Sequence, residues 1–214
     1  MTRTLPRIYW AACWGAIVLL AVQISIDSTL RYITGSQPAP EPILANTFLA
    51  PFLVLHVIGS MTALLIGPLQ FVAAIRTRWP RFHRTTGRIY VLGCAIGAPT
   101  GFVLAFGTSA GPLAGVPFAI SAVLWPVFTW LGVRAILKAR VEDHRNWMLR
   151  SYAVVAGALT LRLMLPAALM SGYEFYPAYQ LISWLNWTTN LALVEYWIRR
   201  KRTSATANAA FVTA

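Results

Sequence analysis

Residues 47–75 read TFLAPFLVLHVIGSMTALLIGPLQFVAAI, and this stretch contains no Asp, Glu, Lys or Arg. At a rise of 1.5 Å per residue, ~20 apolar residues are enough to cross the ~30 Å hydrocarbon core of a bilayer. Buried helices of soluble proteins are usually shorter and bounded by charged residues. The stretch therefore predicts a membrane-spanning helix.

Five more apolar runs of similar length lie on either side of this one. Together they predict an all-α integral membrane protein with six transmembrane helices, forming a single domain over residues 1–202. The other five spans are predicted at residues 9–30, 88–108, 113–137, 151–172 and 177–198. Pro117 and Pro126 predict a kink in the fourth span. The small polar residues of 203–214 predict a disordered cytoplasmic tail.

The overall composition agrees with a membrane protein and excludes a soluble nucleic-acid binder. Hydrophobic residues make up 57% of the 214 residues and charged residues only 11%, although the formal net charge is +12. A soluble chain usually has about 25% charged residues. The lipid bilayer is therefore the expected partner, and no nucleic acid is expected.

The positions of the basic residues predict the orientation in the membrane. Sixteen of the 18 lysines and arginines fall at the N-terminus, after spans two and four, and in the C-terminal tail. By the positive-inside rule these segments are cytoplasmic, so the chain is N-in/C-in and multi-pass in the cell inner (plasma) membrane. The same residues predict contact with anionic lipids at the cytoplasmic face, at about 1 kcal/mol each.

Two similar phrases lead from the basic loops into outgoing helices. Each begins with His-Arg and continues to a second Arg that is followed two residues later by a Tyr. The members are His83, Arg84, Arg88 and Tyr90 in the first phrase, and His144, Arg145, Arg150 and Tyr152 in the second. Helix N-termini and arginines both attract anions, so these phrases predict a site for a lipid headgroup, a haem propionate or an anionic metabolite. The alternative is that the arginines only set the topology.

Three polar side chains lie at a similar predicted depth inside the membrane. His56, Arg162 and Asn186 are each about nine or ten residues, or ~15 Å, from the outer ends of spans two, five and six. Ionisable groups at mid-bilayer cost at least ~2.5 kcal/mol, so they often mark functional sites. If these spans are neighbours, the three residues line one pocket. The alternatives are that His56 only packs helices together and that Arg162 only binds backbone carbonyls. Glu195 lies ~13 Å deeper than Asn186, too far to pair with Arg162.

Two patterns of small residues predict close packing of helices. Glycines recur every four residues in span three, and small or polar residues recur at spacings of three and four in span two. They are Gly93, Gly97 and Gly101 in span three, and His56, Ser60, Ala63, Gly67 and Gln70 in span two. Both faces are expected to contact protein rather than lipid.

The number and positions of the histidines limit the cofactors. His56 is ~27 Å from the cytoplasmic end of its helix, so it cannot share a bis-His haem with His83 or His144. A haem b would use His83 and His144 together, or His56 alone. A quinone contacting His56 and Arg162 is the other candidate. No metal site is predicted, because two imidazoles do not complete one.

These residues leave three functions open. The first is a redox-associated membrane protein that binds quinone or b-type haem through His56, Arg162, Asn186 and the His83/His144 pair. The second is a proton-coupled transporter or channel for a small anion, with Arg162 as counter-ion and His56 as proton relay, assembled as a homodimer. The third is a non-catalytic membrane scaffold whose arginine-rich loops, including Arg84, Arg88, Arg145 and Arg150, bind anionic lipid.

The two phrases together resemble a known bacterial family. The pattern His83-Arg84-x-x-Gly87-Arg88-x-Tyr90, with His144-Arg145-x-Trp147-Met148-x-Arg150-Ser151-Tyr152 and a preceding His56, is similar to the family called domain of unknown function 2306 (DUF2306). The resemblance extends from about Asn46 to the sixth span. It implies a multi-helix inner-membrane protein and supplies no reaction.

Overall fold

The computed structural model describes the backbone of residues 5–212 and the side chains of residues 12–201 and 203. Over this range the chain consists of helices and the turns and loops that join them. The helices are α1 (Leu5–Tyr32), α2 (Glu41–Leu44), α3 (Phe52–Gln70), α4 (Ala73–Arg78), α5 (Pro80–Phe106), α6 (Pro112–Leu137), α7 (Val141–Val155), α8 (Gly157–Met170) and α9 (Phe175–Val212).

Five segments are long and apolar enough to cross a membrane. They are Ala12–Tyr32 of α1, the helices α3, α5 and α6, and the segment Val141–Met170 that contains α7 and α8. The chain is therefore an all-α, multi-pass membrane protein. The helix α9 has 38 residues, but Gln180, Asn186 and Asn190 make its first half more polar than the other five segments.

Several helix boundaries differ from the predicted ones, because hydropathy reports apolar composition rather than helix ends. The helix α3 covers only residues 52–70 of the predicted span 47–75, and α5 begins at Pro80, a residue favoured in the first helical turn, rather than at residue 88. The loop between α1 and α3 contains the short helix α2.

Two of the long helices are continuous through segments for which the sequence predicted a kink or disorder, and both predictions stay predictions. The helix α6 is continuous, with both Pro117 and Pro126 inside it. The backbone of α9 is helical through Val212. Four alanines between residues 205 and 210 favour the helix there.

The fifth predicted span is interrupted near its middle. A single residue, Ala156, separates α7 from α8 within the segment Val141–Met170. Asn190 of α9 donates to the Ala153 carbonyl at 3.3 Å and accepts a hydrogen bond from Thr160 at 3.0 Å. One amide side chain thus binds both halves of the interrupted helix.

The helices α3 and α5 form the most extensive helix contact. Gly59 of α3 lies directly against Gly93 and Gly97 of α5. A Cβ atom added at Gly59 would be 2.5 Å from the Gly97 nitrogen and 2.7 Å from the Gly93 carbonyl oxygen, so only glycine fits. The close packing predicted for the glycines of this helix is confirmed, and the third of them, Gly101, contacts His56.

A closed ring of buried hydrogen bonds joins α5, α6 and α7. Trp125 Nε1 donates to the Tyr90 hydroxyl at 3.2 Å, and Tyr90 and Ser151 are 2.7 Å apart. Ser151 and Thr129 are 2.8 Å apart, and Thr129 donates to the Trp125 carbonyl at 2.8 Å. Because the Thr129 hydrogen goes to a carbonyl, Ser151 donates to Thr129 and Tyr90 donates to Ser151. The Thr129 hydroxyl also approaches Cys94 Sγ at 3.4 Å, and the ring fixes the orientation of Trp125.

The connections between helices lie at two ends of the bundle. The basic end is formed by residues 71–79 and 138–140, and the opposite end by residues 33–51, 107–111 and 171–174. At the opposite end the connections are joined to each other. Ser109 donates to the Pro42 carbonyl at 2.8 Å, and Asn46 donates to the Leu104 carbonyl at 2.8 Å. The segment 33–51 is thereby held over the end of the bundle.

Candidate functional site

A cavity of about 520 Å³ lies inside the bundle and extends toward the opposite end. Its volume falls within the ~300–1,000 Å³ range of small-molecule sites. Residues of α1, α3, α5, α6, α7, α8 and α9 contribute to its walls. His56, Arg162 and Asn186 all line it, so the structure brings together the three residues predicted to lie at a common depth.

Most of the cavity wall is apolar. Leucine, valine and alanine side chains from α3, α5, α7 and α8 make up much of it, and Phe118 and Trp125 of α6 add aromatic surface. A cavity of this kind takes an apolar ligand whose few polar groups meet the few polar side chains on the wall. The polar side chains therefore decide which ligand fits.

His56 is held in one orientation and one tautomer. Its Nδ1 lies 2.8 Å from the Gly97 carbonyl oxygen, which can only accept a hydrogen bond. Nδ1 therefore carries the hydrogen, and Nε2 of the neutral ring carries a lone pair. Within the described part of the chain, no hydrogen bond reaches Nε2. Gly101 makes space for the ring, since a Cβ there would lie 2.7 Å from Nδ1.

Arg162 is a cation on the cavity wall that binds only neutral acceptors. Its Nη2 donates to the Ser28 hydroxyl at 3.0 Å, and its Nη1 approaches the Ala158 carbonyl at 3.4 Å. Ser28 lies on α1 and is 2% exposed. No carboxylate within the described residues forms a salt bridge with Arg162. Buried cations are usually paired, so this arrangement leaves a charge to be compensated.

Two tyrosines that sequence analysis did not select complete this part of the wall. Tyr32 at the end of α1 and Tyr179 on α9 both line the cavity and lie near enough to Arg162 for electrostatic interaction. Among the described residues neither hydroxyl has a hydrogen-bond partner. Asp27 also lies near, but its carboxylate is 2.8 Å from Nε of Arg31. Their approach to Arg162 depends on tertiary structure, so no local sequence pattern reports it.

Asn186 presents an acceptor rather than a donor. Its Nδ2 donates to the Ile182 and Ser183 carbonyls of its own helix, both at 2.9 Å. Its Oδ1 faces Gly157, where an added Cβ would lie 2.6 Å from that oxygen. The first residue of α8 is therefore a glycine that accommodates this amide at the edge of the cavity.

The other two histidines lie at the basic end, away from the cavity. His144 Nδ1 is 2.8 Å from the Gly132 carbonyl, so its Nε2 also carries a lone pair in the neutral ring. His83 lies near enough to His144 and Arg76 for their charges to interact, and its Nδ1 is buried without a hydrogen-bond partner. The described residues contain no group of three or more His, Cys, Asp or Glu that could hold a metal ion.

The four arginines predicted to bind an anion differ in their surroundings. Arg84, Arg88 and Arg145 are exposed, and the Arg145 guanidinium lies over the Trp197 ring. Arg150 instead forms a two-pronged salt bridge with Glu195, with Nη2 at 3.1 Å from Oε2. Arg150 is thus already neutralised within the chain. Sequence analysis missed this pair because it compared Glu195 only with Arg162.

The fold and the cavity define an all-α, multi-pass membrane protein with a largely apolar chamber inside its helical bundle. A family model described as Predicted membrane protein (DUF2306) matches residues 53–198. The chain belongs to this family, which confirms the resemblance carried by the two His-Arg phrases. No curated protein and no solved structure is significantly similar to the chain.

Proposed function

We propose that the chain is a redox-associated membrane protein that holds a lipid-soluble redox cofactor, a quinone or a b-type haem, in the cavity. One observation carries the proposal: His56 and Arg162 lie on the wall of a single, largely apolar cavity. A quinone ring and a porphyrin are both flat apolar bodies with a few polar groups. Such a body suits a wall with a few polar side chains.

The polar side chains supply complementary chemistry. Arg162 can only donate hydrogen bonds, which suits a quinone carbonyl or a haem propionate. His56 has a lone pair on Nε2, which suits a quinol hydroxyl or a haem iron. Asn186 Oδ1 adds a second acceptor at the edge of the cavity.

The proposal includes six spans, with α9 as the sixth, and cytoplasmic termini at the inner membrane. In its favour, α9 packs on α6, α7 and α8, and the basic loops after α3 and α6 lie at the same end of the bundle. At that end Trp79 and Phe82 are exposed next to Arg78 and Arg81. Aromatic rings beside arginines are typical of headgroup depth, so we include anionic lipid as a partner there.

Spectroscopy of the full chain purified in detergent tests the cofactor proposal. We expect a Soret band after expression with haem available, or saturable quenching of tryptophan fluorescence by decylubiquinone. Trp125→Phe removes the tryptophan of the cavity wall, so the quenching that this variant loses relative to wild type arises in the cavity. His56→Ala should abolish the signal, and Arg162→Gln should weaken it.

Arg88→Gln is the matched control for Arg162→Gln, because Arg88 is an exposed arginine outside the cavity. It should leave either signal unchanged. A well-folded protein that shows neither a Soret band nor quinone quenching would refute the proposal.

Transport of a small anion is the second candidate, and the interruption at Ala156 favours it. Substrate sites of secondary transporters often lie where a membrane helix is discontinuous. Arg162 would then act as counter-ion and His56 as proton relay. Uptake of small carboxylates into proteoliposomes under a pH gradient, abolished by Arg162→Gln, would support transport. If a preparation with a Soret band shows no uptake, transport is excluded as the function.

A further inference from the structure

We infer that the cavity takes haem b, with His56 Nε2 as its one axial ligand from the protein and a propionate at Arg162. This inference rests on the proposed function and chooses between its two cofactors. The choice depends on three properties of the cavity wall: its uncompensated charge, the fixed tautomer of His56, and the identity of the remaining lining residues.

The charge of Arg162 favours a ligand with a carboxylate. Its described partners are the Ser28 hydroxyl and the Ala158 carbonyl, both neutral. A neutral quinone would leave the cation uncompensated, whereas a haem propionate would pair with it in a charge-assisted hydrogen bond. The Tyr32 and Tyr179 hydroxyls lie on the same part of the wall and can donate to the same carboxylate.

The hydrogen bond of His56 is of the kind that usually orients a metal-ligating imidazole. Such histidines usually donate their other ring N–H to a backbone carbonyl, a carboxylate or water, which fixes the tautomer and the ring direction. His56 Nδ1 donates to the Gly97 carbonyl at 2.8 Å, and the missing side chain of Gly101 leaves room for the ring. Nε2 is then left to bind iron.

The described part of the cavity wall contains no second histidine, cysteine or methionine that could bind the iron. His83 and His144, the other two histidines of the chain, lie at the basic end and do not line the cavity. No described cysteine or methionine lines it either. Within the described lining, only hydroxyls, amides, an indole and the Asp27 carboxylate, which is paired with Arg31, remain near the polar wall. The haem should therefore be five-coordinate, and able to bind carbon monoxide when reduced.

Haem binding by the detergent-purified full chain tests the inference. Wild type titrated with haem should give a high-spin ferric spectrum and, after dithionite reduction, a carbon monoxide complex. His56→Ala should lose the Soret band, and added imidazole should restore it, which excludes misfolding as the cause. His144→Ala is the matched control and should bind haem like wild type.

Haem dimethyl ester, in which both propionates are blocked, tests the role of Arg162. We expect Arg162→Gln to bind haem about ten- to a hundredfold more weakly than wild type does, the usual range for a hydrogen bond to a charged group. The same substitution should leave the affinity for the dimethyl ester unchanged. Equal losses for both compounds would overturn the propionate contact.

The remaining outcomes separate this inference from the proposed function. Quinone quenching without a Soret band would overturn haem binding and leave the proposed function standing, and the absence of both would refute both. A Soret band lost in His144→Ala and kept in His56→Ala would overturn the ligand assignment. A low-spin, six-coordinate spectrum would overturn the prediction that one axial position of the iron is open.

Discussion

The glycine contact between α3 and α5 gives the most direct test of the fold around the cavity. Replacing Gly59 by alanine places a Cβ atom 2.5 Å from the Gly97 nitrogen, 2.7 Å from the Gly93 carbonyl oxygen and 2.8 Å from the Gly97 Cα. All three are backbone atoms, so no side-chain rotation can relieve the overlap. The helices themselves must move apart.

The size of the movement sets the size of the effect. Ordinary contacts of a Cβ begin at 3.4 Å, so α3 and α5 must separate by about 0.9 Å, the difference between 3.4 and 2.5 Å. Overpacking of this kind usually costs about 1–3 kcal/mol. His56 is one turn from Gly59 and donates to Gly97, so the same separation lengthens its 2.8 Å hydrogen bond.

Thermal unfolding in detergent, followed by tryptophan fluorescence, measures the effect. Gly15→Ala is the matched control, because Gly15 is also helical and has no atom within 4 Å of an added Cβ. Alanine should be neutral or stabilising there, by up to about 1 kcal/mol from helix propensity. We expect Gly59→Ala to melt several degrees below wild type and Gly15→Ala to melt at or above it. Equal melting temperatures for the two variants would refute the packing argument.

Two further predictions concern buried polar contacts. Tyr90→Phe opens the hydrogen-bond ring and should lower the free energy of unfolding by about 1–3 kcal/mol. The control Tyr196→Phe removes a hydroxyl from an exposed residue and should leave the stability unchanged. Equal stabilities of the two variants would contradict the ring. Arg150→Gln removes the salt bridge to Glu195 and should cost about 1–2 kcal/mol, since the two side chains are only 14% and 31% exposed. In thermal unfolding the double variant with Glu195→Gln should lose less than the two single variants together, and additive losses would show that the pair is not coupled.

The sequence predicted the five apolar segments that are long enough to cross a membrane, and it predicted that His56, Arg162 and Asn186 line one pocket. Depth could be estimated from counting residues along a helix, because the rise per residue is constant. His56, Arg162 and Asn186 therefore came out at one level, and the structure places them on one cavity wall. Spacing of glycines likewise predicted the α3–α5 contact, because a repeat of four lies on one helical face.

The parts that sequence did not predict depend on contacts between distant segments. The interruption at Ala156 has no proline nearby, and the amide of Asn190 that binds both halves comes from another helix. Ser28, Tyr32 and Tyr179 lie on helices whose approach to Arg162 no local pattern reports. Hydropathy averages composition over a window, so it detects neither the break nor these neighbours.

The contrast between two arginines connects the fold to the proposed function. Arg150 and Arg162 both lie on the interrupted fifth segment, and α9 passes both of them. Glu195 of α9 neutralises Arg150 with two hydrogen bonds, so this bundle does provide a carboxylate for a partly buried arginine. At the level of Arg162, α9 instead presents Tyr179 and the acceptor of Asn186 to the cavity. A fold selected only for stability would have little reason to leave the second cation without a carboxylate. The described carboxylate near Arg162, that of Asp27, forms its salt bridge with Arg31 instead. The proposed ligand, which brings its own negative charge, would compensate Arg162.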